Sequence, residues 1–222
     1  LYQKENILGM VGQYNVHTYG GGVMDKANLR GLVHETGLHF WMSETGAGGT
    51  GLSGNLNIAQ RMFDDLNYLM PHAWVDWQFV EEKNDQWCMV QGNFATQEYH
   101  IVKNLYVRMQ VTRFIKQGYT FLTIGRNDML AAISPAGDKL VVVMLNTGSE
   151  KKHVSLDLSL FKEVAPSVQL YTTNSNYNCE LRPCGDVENK TFSYTMGGLE
   201  ISTAIFDVTA DTGIEGIQPE KA

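Results

Sequence analysis

Three consecutive strand–helix units occupy the first half of the sequence, and this alternation restricts the fold more than any other feature. Strand-like segments end near Tyr19, Glu44 and Trp77, and each is followed, directly or after a loop, by apolar residues at helical spacing. Strands joined by helices pair in parallel, because the crossover helix returns the chain to the same end of the sheet. We therefore expect a parallel sheet or barrel over residues 1–118.

The pattern changes after Gly118. Short strand-like segments follow one another with polar turns between them, and the connection at 135–138, Pro-Ala-Gly-Asp, is typical of a hairpin. Regularly spaced strands of this kind predict an antiparallel β-sandwich over residues 119–208. Residues 209–222 have no apolar periodicity, and we expect a tail there.

The composition excludes several classes of protein. The chain has 222 residues, of which 43% are hydrophobic and 18% charged, as in a globular protein with a sizeable core. A net charge of −7 without a basic block argues against nucleic acid as a partner. No apolar run reaches the roughly 18 residues of a membrane span, so none is expected. The 10 Tyr, 9 Phe and 4 Trp suit a protein that stacks on sugars, and equally an ordinary core.

The three cysteines leave the redox state open. Cys179 and Cys184 could bridge a short loop if the compartment is oxidising. Alternatively, all three thiols, with Cys88, are reduced.

Polar and aromatic side chains follow all three predicted parallel strands. The first strand ends in His17 and Tyr19, which alternate onto one side, the second ends in Glu44, and the third ends in Trp77 and Gln78. In a (β/α)8 barrel the reactive groups lie where strands end and loops begin. Each residue alone has an ordinary explanation as a structural histidine, a loop charge or a core tryptophan. Their occurrence at three consecutive strand ends favours a functional site.

The order of these motifs resembles glycoside hydrolase family 30, the retaining O-glycosyl hydrolases that include glucosylceramidases, glucuronoxylanases and β-1,6-galactanases or glucanases. The sequence contains HTY, FWMSETG and WVDWQ, and then a predicted helix that leads through FIKQG into the β-rich half. In the family these elements lie on barrel strands six, seven and eight, before a β-sandwich. The resemblance covers residues 7–208. It implies the C-terminal part of a TIM (β/α)8 barrel, strands six to eight, followed by an antiparallel β-sandwich domain.

The resemblance also implies a role for each candidate residue in a retaining β-glycoside hydrolase. Glu44 would be the catalytic nucleophile, His17 and Tyr19 its hydrogen-bonding neighbours, and Trp77 a wall of the subsite that holds the sugar being cleaved. Gln78, where many relatives have Asn, would be a further substrate-binding residue. No cofactor or metal is implied. The expected partner is a carbohydrate, such as β-1,6-linked galactan or glucan, and polymeric glycans place the enzyme in a secreted or periplasmic location.

The second carboxyl group of the family is missing from the sequence. Retaining glycosidases use two carboxyl groups about 5–5.5 Å apart, and in the family the acid/base is the Glu of an Asn-Glu-Pro on strand four. No Asn-Glu-Pro occurs here, and the chain opens at Leu1 without an initiator Met or a secretory leader. We therefore expect a portion of a longer enzyme. The N-terminal barrel segment, with the acid/base, would come from the same parent polypeptide or from a second chain.

A non-catalytic alternative stands beside the enzyme. A degenerate half-barrel joined to a β-sandwich would make a carbohydrate-binding or scaffolding protein. An Asn-Glu-Pro upstream in the parent gene would favour the enzyme, whereas a native start at Leu1 would favour the alternative. A nucleotide-binding fold is disfavoured, because the segment GTGLSG does not follow a strand in the required glycine register.

Overall fold

The computed structural model describes residues 8–46, 49–84 and 86–210, and within these ranges it contains three α-helices and fourteen strands. The helices are α1 (Val23–His34), α2 (Gly51–Asp64), which continues as a π-helical turn (Asp65–Leu69), and α3 (Lys103–Thr112). The strands are β1 (Gln13–His17), β2 (His39–Thr45), β3 (Ala73–Asp76), β4 (Val80–Glu82), β5 (Val90–Asn93), β6 (Glu98–Ile101), β7 (Thr120–Leu122), β8 (Met129–Ile133), β9 (Lys139–Asn146), β10 (Lys152–Asp157), β11 (Glu163–Thr173), β12 (Asn178–Arg182), β13 (Thr191–Met196) and β14 (Glu200–Thr209). A 3-10 turn (Leu8–Met10) precedes β1.

The strands β1, β2 and β3 form a parallel sheet in that order, with α1 in the first crossover and α2 in the second. This pairing agrees with the strand–helix alternation of the sequence. Phe40 and Met42 of β2 share one apolar cluster with Val33 of α1 and Leu69 of the π-helical turn. One side of β2 therefore faces the helices, and alternation along the strand directs the intervening side chains the other way.

The second half of the chain is antiparallel, as predicted. Six strands pair in the order β12-β11-β14-β9-β8-β7, and β10 pairs with β13 as a separate ribbon. The predicted hairpin at 135–138 joins β8 to β9. The sheet and the ribbon share an apolar core in which the rings of Phe192 and Phe206 meet edge to face, 5.3 Å apart.

The helices α2 and α3 share an apolar cluster with the six-stranded sheet. Phe63 of α2 and Val107 of α3 belong to the same buried cluster as Val143 and Ile201 of the sheet. Burial of this kind supplies most of the stability of such a contact, at about 25 cal/mol per Å² of apolar surface. The helix α2 is also the connection between β2 and β3. The parallel sheet is therefore linked to the six-stranded antiparallel sheet through α2, which packs against the latter.

One segment differs in type from the sequence-based expectation. The apolar pattern predicts one strand over 73–80 and one helix over 98–118. In the structure β3 ends at Asp76, and the segment Glu98–Ile101 is the strand β6. It pairs with β5 in a small sheet, β4-β5-β6, inserted between β3 and α3. The short sequence of residues 98–101 is compatible with a helix or with a strand. Hydrogen bonding to β5 stabilises the strand.

The buried face of α3 also differs from the prediction. The helical spacing of Val102, Leu105, Met109 and Thr112 predicts that these four residues form the buried face. The residues that the structure buries are Asn104, Val107, Arg108, Gln110 and Val111. Asn104 donates hydrogen bonds to the backbone carbonyls of Trp87 and Cys88, and Gln110 donates to Thr173. Internal partners offset the cost of burying these polar groups. Apolar periodicity gives no sign of such partners.

Three smaller expectations can be compared with the structure. Cys179 and Cys184 carry thiols, so the short bridge considered from the sequence is not formed. In the part of the chain that the structure describes, no helix is long and apolar enough to cross a membrane. The predicted tail at 209–222 lies outside the described residues from position 211 onward.

Candidate functional site

The carboxyl ends of β1 and β2 bring three of the candidate residues together. The Tyr19 hydroxyl donates to Glu44 Oε1 at 2.8 Å, and His17 Nδ1 lies 3.8 Å from the same oxygen. His17 is the register partner of Glu44, and its ring meets the Tyr19 ring edge-on with centroids 6.2 Å apart. His17, the last residue of β1, and Tyr19, two residues beyond it, thus converge on one carboxylate oxygen of β2.

A bulge in β2 determines which way Glu44 points. Successive residues of β1 pair with Met42 and then with Glu44, so Ser43 is an extra residue. Met42 faces the helices, and regular alternation would turn Glu44 to that side as well. The extra residue reverses the order. Glu44 points away from the helices, whereas Thr45 is fully buried against them.

The candidate nucleophile is accessible and accepts a hydrogen bond from Tyr19. The side chain of Glu44 is 29% exposed, and Tyr19 is half-exposed. Partial burial, together with the hydrogen bond and negative charge of Glu44, raises the pKa of Tyr19 to about 12. The phenol therefore stays protonated near neutral pH and can donate its hydrogen bond to the side chain of Glu44.

Trp77 lies at the third strand end, next to the end of β2. Its backbone N–H donates to the Thr45 carbonyl at 2.7 Å. A Cβ at Gly46 would lie 2.8 Å from the Trp77 carbonyl oxygen, so a residue with a side chain does not fit there. The Trp77 side chain is 45% exposed. The backbone contact thus fixes an accessible indole beside the strand that carries Glu44.

Gln78 has a different environment. Its side-chain amide donates to Glu81, which also accepts a hydrogen bond from the indole N–H of Trp87. Glu81 belongs to β4, so the side chain of Gln78 is tied to the small sheet rather than to the carboxylate of Glu44. The predicted substrate-binding role of Gln78 therefore has no direct support from its contacts.

Arg61 of α2 lies behind the strand ends, and its position was not predicted from the sequence. One guanidinium nitrogen, Nη1, donates to the Thr18 carbonyl at 3.0 Å, the Gly46 carbonyl at 3.0 Å and the Thr45 hydroxyl at 3.2 Å. A single side chain thus reaches the ends of both β1 and β2.

A fully buried carboxylate, Asp65, lies beside this arginine in the π-helical turn. Its Oδ1 lies 2.8 Å from Lys26 Nζ, and its Oδ2 accepts from the Thr18 hydroxyl at 2.8 Å and the Trp74 indole at 2.9 Å. Three partners offset the cost of removing the charge from water. An acid on the apolar face of a predicted helix is the sequence signal that could have revealed this group.

A second buried ion pair holds the end of β3. Asp76 accepts a hydrogen bond from Arg108 of α3, and the two side chains are only 6% and 3% exposed. Arg108 Cζ also lies 5.8 Å from the centroid of the Trp74 ring. Thr45 and Asp76 are register partners, so polar groups on the rear side of two neighbouring strands meet the helices.

Three known proteins resemble the chain in sequence or in fold. An endo-β-1,6-galactanase of Hypocrea rufa is 27% identical over 200 residues, which are 87% of this chain and 40% of that protein. A glycoside hydrolase family 30 endoxylanase from Clostridium papyrosolvens matches with a TM-score of 0.71 at 21% identity, over 90% of this chain and 50% of that one. A conserved exported protein from Bacteroides fragilis has a TM-score of 0.67 at 15% identity, over 87% and 46% of the two chains. No protein-family model matches the sequence.

The matches extend over most of this chain but only part of each known protein. The chain spans 40% of the galactanase and 50% of the endoxylanase. At these identities the solved structures establish the fold, in which the ordered motifs HTY, FWMSETG and WVDWQ have their expected parallel strands. The resemblance of this chain to glycoside hydrolase family 30, indicated by its motifs, is thereby confirmed.

Proposed function

We propose that this chain is the nucleophile-bearing part of a retaining β-glycoside hydrolase. The observation that carries the proposal is the carboxylate of Glu44 at the end of a parallel strand, accessible and bonded by Tyr19 at 2.8 Å. A retaining enzyme needs one ionised carboxylate that attacks the anomeric carbon. The position of Glu44, turned away from the helices by the bulge at Ser43, suits that role.

We propose separate tasks for the two carboxylate oxygens of Glu44. Tyr19 and His17 both approach Oε1, so we assign the attack to Oε2. As Oε2 bonds to the anomeric carbon, the bond to the leaving oxygen breaks and an acid protonates that oxygen. Water then displaces Glu44 with the same group acting as base. The acid/base is a second carboxyl group that we expect from the rest of the barrel.

We propose the domain arrangement that the sequence predicts. Residues 1–118 would supply strands six to eight of a (β/α)8 barrel, residues 119–208 the β-sandwich and residues 209–222 a tail. The parallel order β1-β2-β3 supports this assignment, and among the described residues these three strands do not close into a barrel. The missing strands would come from another segment of the parent polypeptide or from a second chain. Coverage of only 40–50% of the relatives is consistent with this arrangement.

The names of the relatives guide the choice of substrate. The galactanase favours β-1,6-linked galactan as the polysaccharide, and the endoxylanase makes xylan the alternative to test. Both are polymers found outside the cytoplasm. Together with the exported neighbour, this supports a secreted or periplasmic location.

Trapping the covalent intermediate tests the proposal. A 2-deoxy-2-fluoro glycoside with a good leaving group should inactivate the protein with its complete barrel, because the glycosyl ester then hydrolyses slowly. Peptide mass mapping should find the sugar on Glu44. Label on another carboxylate would remove Glu44 from the role. Tight binding of galactan without label or turnover would favour the non-catalytic carbohydrate-binding alternative.

Replacing Trp77 should weaken substrate binding. Trp77→Ala removes an exposed aromatic face beside the candidate nucleophile, and we expect a loss of roughly 1–3 kcal/mol in binding, by analogy with other aromatic stacking platforms. In steady-state kinetics KM should rise while kcat changes little. Trp77→Phe should recover part of the loss. The control Leu160→Ala, at an exposed position of the antiparallel half, should leave KM unchanged. A large fall in kcat with an unchanged KM would contradict the stacking role.

A further inference from the structure

We propose that Arg61 is a positioning residue that fixes the distance between Tyr19 and Glu44 by tying together the ends of β1 and β2. The inference rests on the proposed function, in which Glu44 must be held in place to attack the sugar. Arg61 touches neither reacting atom. It would act through the two strand ends that carry the site.

The three acceptors of Arg61 lie next to the residues that they would position. Its Nη1 donates to the carbonyl of Thr18, which directly precedes the tyrosine of the site. It also donates to the hydroxyl of Thr45 and to the carbonyl of Gly46, which directly follow the candidate nucleophile. Because one nitrogen serves all three acceptors at 3.0–3.2 Å, a shift of either strand end would break part of the set.

Between β1 and β2 the backbone pairing gives little support beyond this point, although β3 still holds the end of β2 through the Trp77 N–H and the Thr45 carbonyl. The Thr18 N–H donates to the Glu44 carbonyl at 3.2 Å, and both chains then enter glycine-rich segments, at 20–22 and 46–51. Glycine leaves the backbone free to adopt many conformations. Arg61 adds a link from outside the sheet between the ends of β1 and β2.

The helix that carries Arg61 is well placed to supply that link. On either side of Arg61 in the helix, Ile58 and Met62 are buried, with 0% and 3% of their surface exposed, and Phe63 is fully buried. A support on a packed helix holds a site more closely than one on a loop. The position of α2 therefore sets the position of both strand ends.

The test compares two arginine variants in the protein with its complete barrel. Arg61→Met keeps roughly the length of the side chain and removes the guanidinium that donates to all three acceptors. With an aryl β-glycoside as substrate, kcat should fall about 100-fold, the effect of misplacing reacting groups by roughly 1 Å. KM should stay within about threefold, because no contact with the sugar is removed. Arg61→Lys, which keeps a donor and the charge, should recover part of the rate.

A matched control separates positioning from a general loss of an arginine. Arg113 stacks on Phe114 and Tyr171, with its Cζ 5.3 Å and 5.0 Å from the two ring centroids, outside the parallel sheet. Arg113→Met should leave kcat unchanged. If it lowers kcat as much as Arg61→Met does, the positioning role is overturned.

Hydrogen–deuterium exchange gives a readout that does not depend on activity. The amides of residues 17–19 and 43–46 should exchange about tenfold faster in Arg61→Met than in the parent protein. In Arg113→Met the same amides should exchange at the rate of the parent protein. Unchanged exchange in Arg61→Met, with or without a lower kcat, would overturn the proposal. If Glu44→Gln proves fully active, the proposed function fails, while the exchange rates still decide whether Arg61 holds the strand ends.

Discussion

Glu44→Gln should lower kcat by several orders of magnitude while substrate affinity changes little. The amide has the shape of the carboxylate but no negative charge, so it cannot form the glycosyl ester at a useful rate. The Tyr19 hydroxyl can still donate to the amide oxygen, which keeps the local structure in place. Turnover of galactan and xylan, with binding measured separately by calorimetry, checks both parts of the prediction.

A carboxylate outside the site provides the control for this variant. Glu163 lies exposed at the start of β11, and Glu163→Gln should turn over at the normal rate. Near-normal turnover in Glu44→Gln would show that Glu44 is not the nucleophile but an ordinary charged residue at the end of a strand. A different result would favour the non-catalytic carbohydrate-binding alternative: the parent protein shows no turnover at all, and the parent and Glu44→Gln bind the polysaccharide with equal affinity.

The second large effect should come from the buried ion pair behind β3. Arg108→Met should lower the free energy of unfolding by about 3–5 kcal/mol, because it leaves the carboxylate of Asp76 buried without its counter-charge. Adding Asp76→Leu should restore much of the stability, since an apolar pair needs no compensation. Urea denaturation of the protein with its complete barrel measures both changes.

An exposed ion pair gives the comparison for that measurement. Arg126 pairs with Asp128 at 2.7 Å, but 52% of the Arg126 side chain is exposed, so Arg126→Met should cost only about 0–1 kcal/mol. Equal losses in Arg108→Met and Arg126→Met would show that burial of the first pair contributes nothing beyond an ordinary surface contact.

The strand order and the strand ends could be predicted from the sequence because both depend on local pattern. Alternation of strand-like and helical periods fixes the parallel pairing of β1, β2 and β3, and residues such as Tyr19 and Trp77 stand at the boundaries of apolar runs. The bulge at Ser43 could not be predicted in this way. It depends on how β1 and β3 pair with β2, and no window of the β2 sequence contains that information.

The polar groups behind the site were missed for a related reason. Arg61 and Asp65 lie in a segment whose apolar residues predict a helix, but this pattern does not show which groups a charged residue of the helix binds. Both bond to backbone and side-chain atoms at the ends of the strands. Their partners are distant in the sequence, so only the folded chain identifies them.

The alternation at the strand ends would separate the proposed sugar contacts from the contacts that support folding. Tyr19 and Trp77 are on the accessible side, while their neighbours Thr18 and Asp76 are held by groups from the helices. Residues one position apart thus have different surroundings, one accessible and the other packed against the helices. An ancestor of this chain could exchange accessible side chains and acquire a new sugar preference without losing the contacts that keep the sheet folded. Tolerance of the fold to mutation would then depend on the buried positions at the strand ends, and a change of sugar preference would depend on the accessible positions next to them.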